Sequence, residues 1–355
     1  MRSLIKLALA VFILSLFAAT QARAAETQKP KEWTFETEAL ILHRNQNIRK
    51  GLGTAEGHRP GTGPATNVNS TVIGAKDLKF GFRPGARFTL GYHPDPMNTF
   101  EVVYFGLQQW SASKKTDCAR LRAFRESNEG FTDCLNAFFV RPEAEQTYPD
   151  PFNEILPEFN GVDAMRIKYE SRLHNVELNY KRHFTPWGNF VPTLLAGFRF
   201  ISVPERFKLA VNDLTWSDFG AYKIHTTNYL FGVQIGGDGA YRFGPSFELG
   251  LRAKVGLFAN AAKQTSKVCE STESCGSDKK SGAAPAGVGE AGLFGTWNMH
   301  PNVALTAGYQ VLYVIGLALA PDQMASSSNP GALSSLDTRG SIFYHGPSVG
   351  VKVGL

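Results

Sequence analysis

Along most of the chain apolar and polar residues alternate at a period of two, in segments of roughly ten to sixteen residues, suited to tilted strands that cross a bilayer. Phe247, Leu249, Leu251, Ala253, Val255 and Leu257 fall on one face, and Glu248, Arg252 and Lys254 on the other. A helix would mix those two sets. The same alternation sets Trp33, Phe35, Ala39 and Ile41 against Thr34, Glu36 and Glu38, and Phe80, Phe82, Ala86, Phe88, Leu90 and Tyr92 against Lys79, Arg83 and Arg87. Tyr229, Phe231, Val233 and Ile235 face Asn228 and Gln234, and Val349, Val351, Val353 and Leu355 face Lys352. Further segments read as strands near 98–112, 164–183, 190–210, 221–237, 284–299, 303–314 and 341–355.

Two segments break the pattern. In one, the apolar set passes from Ile167, Tyr169 and Leu173 to Val176, Leu178 and Tyr180, and a β-bulge near His174 and Asn175 would restore the facing. In the other, Phe100, Val102 and Tyr104 compete with Val103, Phe105 and Leu107 for the apolar side.

The connections alternate between long and short. Long ones cover 43–76, 113–163, 263–283 and 315–340, with a medium loop at 211–220. Short turns lie at 93–97, 185–189, 238–245 and 299–302. Every long connection then falls at one end and every short turn, with both termini, at the other. That is the asymmetry of a transmembrane antiparallel up-and-down β-barrel, and it predicts about ten strands, within a range of eight to twelve, with periplasmic termini. A soluble β-sandwich shares the alternation but has no reason to sort its loops by length. Aromatic residues at strand ends suit interfacial girdles: Tyr92, Trp110, Phe184, Trp187, Phe243, Trp297 and Tyr313.

The N-terminus changes the compartment. Arg2 and Lys6 precede an apolar run from Leu7 to Thr20, too short for a stable membrane helix, and Ala22 and Ala24 give a small-x-small cleavage pattern. A cleaved signal peptide over 1–24 and one outer-membrane barrel domain over 25–355 follow as expectations. Without Arg2, Lys6 and Arg23 the formal charge falls from +6 to +3, too little to argue for a nucleic-acid partner. The 35 glycines, 26 phenylalanines and 43% hydrophobic content fit strands that are apolar on one face.

Cys118, Cys134, Cys269 and Cys275 are an even count in an exported chain. Pairing within each loop, Cys118 with Cys134 and Cys269 with Cys275, competes with a metal site, which lacks a nearby histidine of ligand-like spacing. No cofactor is expected. The histidines, among them His43, His93, His174, His225 and His345, form no recognisable catalytic spacing; His225 with Asp213 and Asp218 is the one acid-histidine grouping.

Lumen-facing candidates are Lys79, Arg83, Arg87, Arg172, Glu177, Arg199, Gln234, Glu248, Arg252, Lys254, Glu290 and Lys352, with Arg166, Lys168, Glu170 and Lys181 on the same polar faces. They read either as a basic pore wall that favours anions or as ion pairs that fill a narrow barrel.

Several phrases resemble a family of bacterial β-barrel porins related to the Legionella-type pore-forming outer-membrane proteins. They are Phe80-Gly81-Phe82-Arg83-Pro84-Gly85, the run from Tyr169 to Asn179, Leu195-Ala196-Gly197-Phe198-Arg199-Phe200, the run from Asn228 to Gly236, and the run from Ala307 to Gln323. The resemblance implies an outer-membrane barrel and a pore, and no catalytic residues. The expected function is therefore a pore for small hydrophilic solutes, not an enzyme, with outer-membrane lipid and the barrel-assembly machinery as partners. Two alternatives stand beside it: a structural or surface-interaction barrel with a charge-plugged lumen, and a barrel enzyme acting at the extracellular rim.

Overall fold

In a computed structural model that describes residues 32–46, 51–55, 70–74, 77–117, 136–137, 164–213, 218–269, 275–324 and 336–355, the alternating segments are strands. A small three-stranded sheet is formed by β2 (Gly51–Ala55), β3 (Ser70–Gly74) and β6 (Asn136–Ala137). The other ten strands close into one antiparallel barrel: β1 (Trp33–Gln46), β4 (Arg83–Asp95), β5 (Asn98–Asp117), β7 (Ala164–His183), β8 (Phe190–Asp213), β9 (Asp218–Phe243), β10 (Phe247–Cys269), β11 (Cys275–His300), β12 (Val303–Leu317) and β13 (Gly340–Gly354). β1 closes it by pairing with both β4 and β13. A closed sheet is what lets strands satisfy every backbone group in hydrocarbon.

The four short turns lie at the end where the Leu355 N–H donates to the Trp33 carbonyl at 2.9 Å; that end is called lower below. Between β4 and β5 the turn is tied by Asp95, which accepts from the Met97 N–H at 2.8 Å and the Asn98 amide at 2.6 Å. The upper end is taller than the sequence suggests. Residues 211–220 and 263–283, expected as loops, are mostly strand, since β8 and β9 run to Asp213 and from Asp218, and β10 and β11 pair as far as Cys269 opposite Cys275.

The break at His174 and Asn175 is not a bulge. Pairing of β7 with β8 keeps one register from Ser171 opposite Glu205 to His174 opposite Ser202. The strand does not change face; its surroundings do. Below His174 the outward residues are the apolar Val176, Leu178 and Tyr180, and above it they are Arg172, Glu170, Lys168 and Arg166. Inward, the order inverts: Lys181, Asn179 and Glu177 below, then Leu173, Tyr169, Ile167 and Met165 above. The same exchange occurs on β8, where outward Leu194 and Phe198 give way to Arg206 and Lys208, and on β10, where Leu251, Val255 and Leu257 give way to Lys263 and Lys267. Each of these three strands therefore leaves the hydrocarbon partway up and continues into water with an apolar core inside.

From Leu249 to Ala259 the lipid-facing part of β10 runs ~33 Å along the strand, and at a barrel tilt of ~40° this spans a band ~25 Å tall. Its lower edge is an aromatic girdle in which Phe243, Phe247 and Trp297 occupy neighbouring ladder positions. Trp110, expected in a girdle, instead lies fully buried inside the barrel, its Nε1 donating to the Leu42 carbonyl at 3.3 Å.

The real bulge is on β5, where the register against β7 slips between Gly106 and Gln109. Leu107 there has φ of 73°, a left-handed conformation that costs a β-carbon residue roughly 1–2 kcal/mol. The slip resolves the competing apolar sets. Val103 and Phe105 point inward below it, Gln108 and Trp110 inward above it, and Phe100, Val102 and Leu107 outward.

Candidate functional site in the barrel interior

Because the lower half of each strand presents polar residues to the axis, the lumen there is lined by charge. Five carboxylates (Glu38, Glu101, Glu177, Asp238, Glu290) and five cations (Arg87, Lys181, Arg199, Arg252, Lys254) meet in it. The numbers of opposite charges are equal, so a low-dielectric interior can hold them at little net charge.

Their geometry forms two linked clusters. Glu177 accepts from Lys254 Nζ at 3.0 Å, Gln234 Nε2 at 2.9 Å, and the amides of Asn175 and Asn179 at 3.1 Å each. Glu290 pairs with Lys254 at 2.9 Å and with Arg199 at 2.8 Å, so Lys254 bridges two carboxylates from opposite sides. Arg87 joins this cluster to Glu38 at 3.0 Å. Nearer the lower mouth, Asp238 receives Lys181 at 3.0 Å and Arg252 at 2.7 Å, and Lys181 also reaches Glu101 at 3.0 Å. Between the clusters remains a cavity of about 30 Å³, bordered by Glu36, Arg87, Glu101, Glu177, Lys181 and Arg252, with room for one or two water molecules.

Below the clusters, alternating threonine and histidine side chains form a chain across five adjacent strands. Thr34 bonds His93 at 3.0 Å, His93 bonds Thr99 at 2.8 Å, Thr99 bonds His183 at 2.8 Å, and His183 bonds Thr193 at 2.9 Å.

Phe105 caps the charged layer from above, with the guanidinium carbons of Arg87 and Arg199 5.1 and 5.7 Å from its ring centre. Higher up the interior is apolar, built from Leu40, Leu42, Ile167, Val203, Phe207 and Leu230 among others. One ion pair sits inside it: Arg44 donates to Glu205 and to the Tyr169 hydroxyl at 3.0 Å, and its guanidinium lies 4.8 Å from the Phe80 ring centre. The chain after β12 closes this level. Gly316, at φ of 85° and with Pro285 O only 2.5 Å from where a β-carbon would stand, turns the strand inward. Ala318 to Met324 then lie buried within the barrel, apart from the partly buried Asp322, and include the short 3₁₀ turn Ala320–Gln323. Asn228 holds Ala318, the Glu205 carboxylate accepts the Ala320 N–H at 2.9 Å, and Asn260 donates to the Gly316 carbonyl at 2.8 Å.

Arg87, Glu177, Arg199, Gln234, Lys254 and Glu290 are thus buried in the lumen and in contact with one another. Arg252 lies in the same layer, and Lys352 stands opposite Glu36 on the inner face. Glu248 sits at the lower rim, paired with Arg242 at 3.0 Å. Lys79, Arg83 and Arg172 do not line the lumen. Lys79 and Arg83 are exposed at the upper end of β4, and Arg172 is on the outer wall with Arg166, Lys168 and Glu170, because that part of the barrel stands above the lipid band. The charged lining is thus confined to the lower lumen, where cations and carboxylates are paired.

Sequence reasoning missed Glu101, Asp238, Arg44 and Glu205. Asp238 falls in a segment that reads as a turn, Glu101 in the strand of ambiguous facing, and the other two lie where inside and outside exchange.

The Cys269–Cys275 disulfide joins β10 to β11 across 270–274; Cys118 and Cys134 lie outside the described residues. His225 is on the outer wall opposite Arg206, and the side chains of Asp213 and Asp218 lie outside the described residues. Among the described residues no group of three metal-ligating side chains occurs.

No family model matches the sequence, and no curated protein matches it. Solved structures do. The outer-membrane protease OmpT of Escherichia coli aligns at 9% identity over 94% of this chain and 99% of that one, with a TM-score of 0.43. The translocator domain of the autotransporter NalP from Neisseria meningitidis aligns at 9% identity over 95% and 92%, with a TM-score of 0.34. The CymD monoaromatic hydrocarbon channel aligns at 9% identity over 92% and 90%, with a TM-score of 0.29. With a protease among these neighbours, the expectation that the chain is not an enzyme does not stand, although likenesses this remote transfer no activity. The fold is a β-barrel closed by ten antiparallel strands, an architecture with which strands can cross an outer membrane.

Proposed function

We propose that this protein is an outer-membrane barrel whose lumen is closed by its own side chains, and that it acts through its outer wall and its long-connection end. One observation carries the reading. The cavity found within the five-by-five ion-pair layer holds about 30 Å³, and an apolar layer with the inserted Ala318–Met324 segment lies directly above it. An open pore would need a continuous water path past Arg87 and Arg252, and both guanidiniums are held in ion pairs of 2.7–3.0 Å. The porin reading therefore has less support than the sealed barrel.

In this reading the termini are periplasmic, a cleaved leader exports the chain, the barrel-assembly machinery inserts it, and membrane lipid surrounds the apolar band. A swelling assay tests it. Proteoliposomes carrying the folded protein should show no more uptake of small neutral or charged solutes than empty liposomes. Graded, size-dependent uptake would overturn the proposal in favour of a pore for small hydrophilic solutes.

A further inference from the structure

Above the lipid band the outer wall from β7 to β11 gathers positive charge that neither the lumen nor barrel closure requires. One ladder row consists of Lys168, Lys208, Lys223 and Lys267, each directly opposite the next. Like charges on facing residues of a sheet destabilise it. Lys168 is relieved by Glu170 at 2.6 Å, but among the described residues no carboxylate forms an ion pair with the other three. The next outward row down adds Arg206 and Lys279, and the one after it Arg172 and Lys263, all exposed. Against these eight cations the three rows hold one carboxylate, Glu170, so this wall carries seven net charges in a chain whose formal total is +6. The lysine row and Arg206 border a groove of about 420 Å³.

Height sets this wall apart from the lipid. Val176, Phe200, Phe231 and Ala259 share the last lipid-facing row of β7 to β10, and each lysine lies eight residues above the one on its own strand. At ~3.3 Å per residue and a tilt of ~40°, the lysines stand ~20 Å above the hydrocarbon, in water. Strands spaced ~4.8 Å apart spread the charge over ~19 Å from β7 to β11, wider than one small anion and suited to a chain that repeats its charges. The remaining outward positions of the three rows are Pro204, His225, Thr227, Thr265, Ser277 and Ser281. Without Phe, Tyr or Trp, the wall lacks the stacking platforms of single-stranded nucleic-acid sites and the aromatic anchors of protein interfaces. Hydroxyls set among cations suit sugar hydroxyls and anionic oxygens instead.

We propose that this wall binds an extended polysaccharide bearing sulfate or carboxylate groups, which lies along the groove in the aqueous layer with Arg206, Lys208, Lys223 and Lys267 as its counter-charges. The bound anions neutralise the facing lysines. The proposal rests on the reading that the protein acts through its outer wall, and names the partner. Solute uptake tests the sealed lumen and polysaccharide binding tests this wall, so the two can fail separately.

The test measures binding of the full protein, in phosphatidylcholine nanodiscs, to immobilised dextran sulfate by interferometry, with neutral dextran as the blank. The wild type should bind dextran sulfate, and rising salt should release it. Lys208→Gln, Lys223→Gln and Lys267→Gln together should weaken binding by roughly ten- to a hundredfold, from a factor of about two to five per exposed ion pair. Lys79→Gln, Arg83→Gln and Arg242→Gln together remove the same charge elsewhere and should leave binding nearly unchanged. Heat-modifiable gel migration shows that each variant is folded. Equal losses in the two triple variants, or no binding by the wild type at low salt, would overturn the proposal. So would displacement by inorganic sulfate at matched sulfate concentration, which would mark a site for free anions, or tighter binding to single-stranded DNA of equal charge, which would mark a nucleic-acid site.

Discussion

The Asn228 side chain holds the backbone of Ala318 from both sides, accepting its N–H at 2.7 Å and donating to its carbonyl at 3.0 Å, 90 residues along the chain. An asparagine aimed into the barrel thereby does what a neighbouring strand would do, and it fixes the inserted segment where strand pairing has ended. Asn260 supports it, donating to the Asn228 Oδ1 at 2.9 Å.

Asn228→Ala should therefore loosen the inserted segment more than the barrel. Removing it strands a buried N–H and carbonyl, a loss of roughly 1–3 kcal/mol per unsatisfied group. Amide exchange at Ala318 and Ala320 should accelerate while the β7–β10 amides keep their protection. Uniform acceleration across all strands would contradict a local role.

Glu177 accepts hydrogen bonds from four residues in the lumen. Glu177→Ala should destabilise the barrel by about 3–5 kcal/mol, because Lys254 and Arg199 are left as buried cations with too few partners. Adding Lys254→Met to it should recover part of that loss. Urea unfolding in detergent measures both, and a Glu177→Ala change that shifts the midpoint no more than a rim substitution such as Glu248→Ala would contradict the network.

Leu251 is 65% exposed on the lipid face, whereas Thr306 is buried on the lumen side beside the charged layer. Leu251→Arg should cost roughly 2–4 kcal/mol near the bilayer midplane. Thr306→Arg should cost less, since its guanidinium enters a polar interior within reach of Glu36. Folding stability in lipid vesicles compares the two, and the reverse order would mean that inside and outside are exchanged.

The Cys269–Cys275 disulfide closes only the tip of the β10–β11 hairpin, whose strands are paired along their whole lengths. Reduction should leave heat-resistant migration on gels intact. Loss of the compact band on reduction alone would show that the bridge holds the barrel.

Much of this architecture is legible in the chain. The alternation of Phe247 to Leu257 and the turns near Asp95, Trp187, Pro245 and Pro301 already give ten strands and a sorted pair of ends. The inward facing of Arg87, Glu177, Arg199, Lys254 and Glu290 follows from the same parity, though not which of them pair. What the parity cannot give is height. On β7, Glu177 and Arg172 both lie on polar faces, but one stands in the lumen and the other above the lipid on the outer wall, and only the exchange of faces at His174 separates them. That exchange reads in sequence as a bulge, because both events flip the apolar set by one residue. Arg44 and Glu205 were hidden for the same reason, as charges within a layer whose other inward residues are apolar or uncharged. The bulge itself, at Leu107, has only the neighbouring Gly106 to mark it, one glycine among 35 in the chain.

Single-channel recording tests the closed lumen most directly. The folded wild-type protein, inserted into a planar bilayer and held under applied voltage, should add no steady current above the bare membrane. A stable conductance step that scales with salt concentration would contradict it, because ions would then be crossing the layer where Lys254 bridges Glu177 and Glu290.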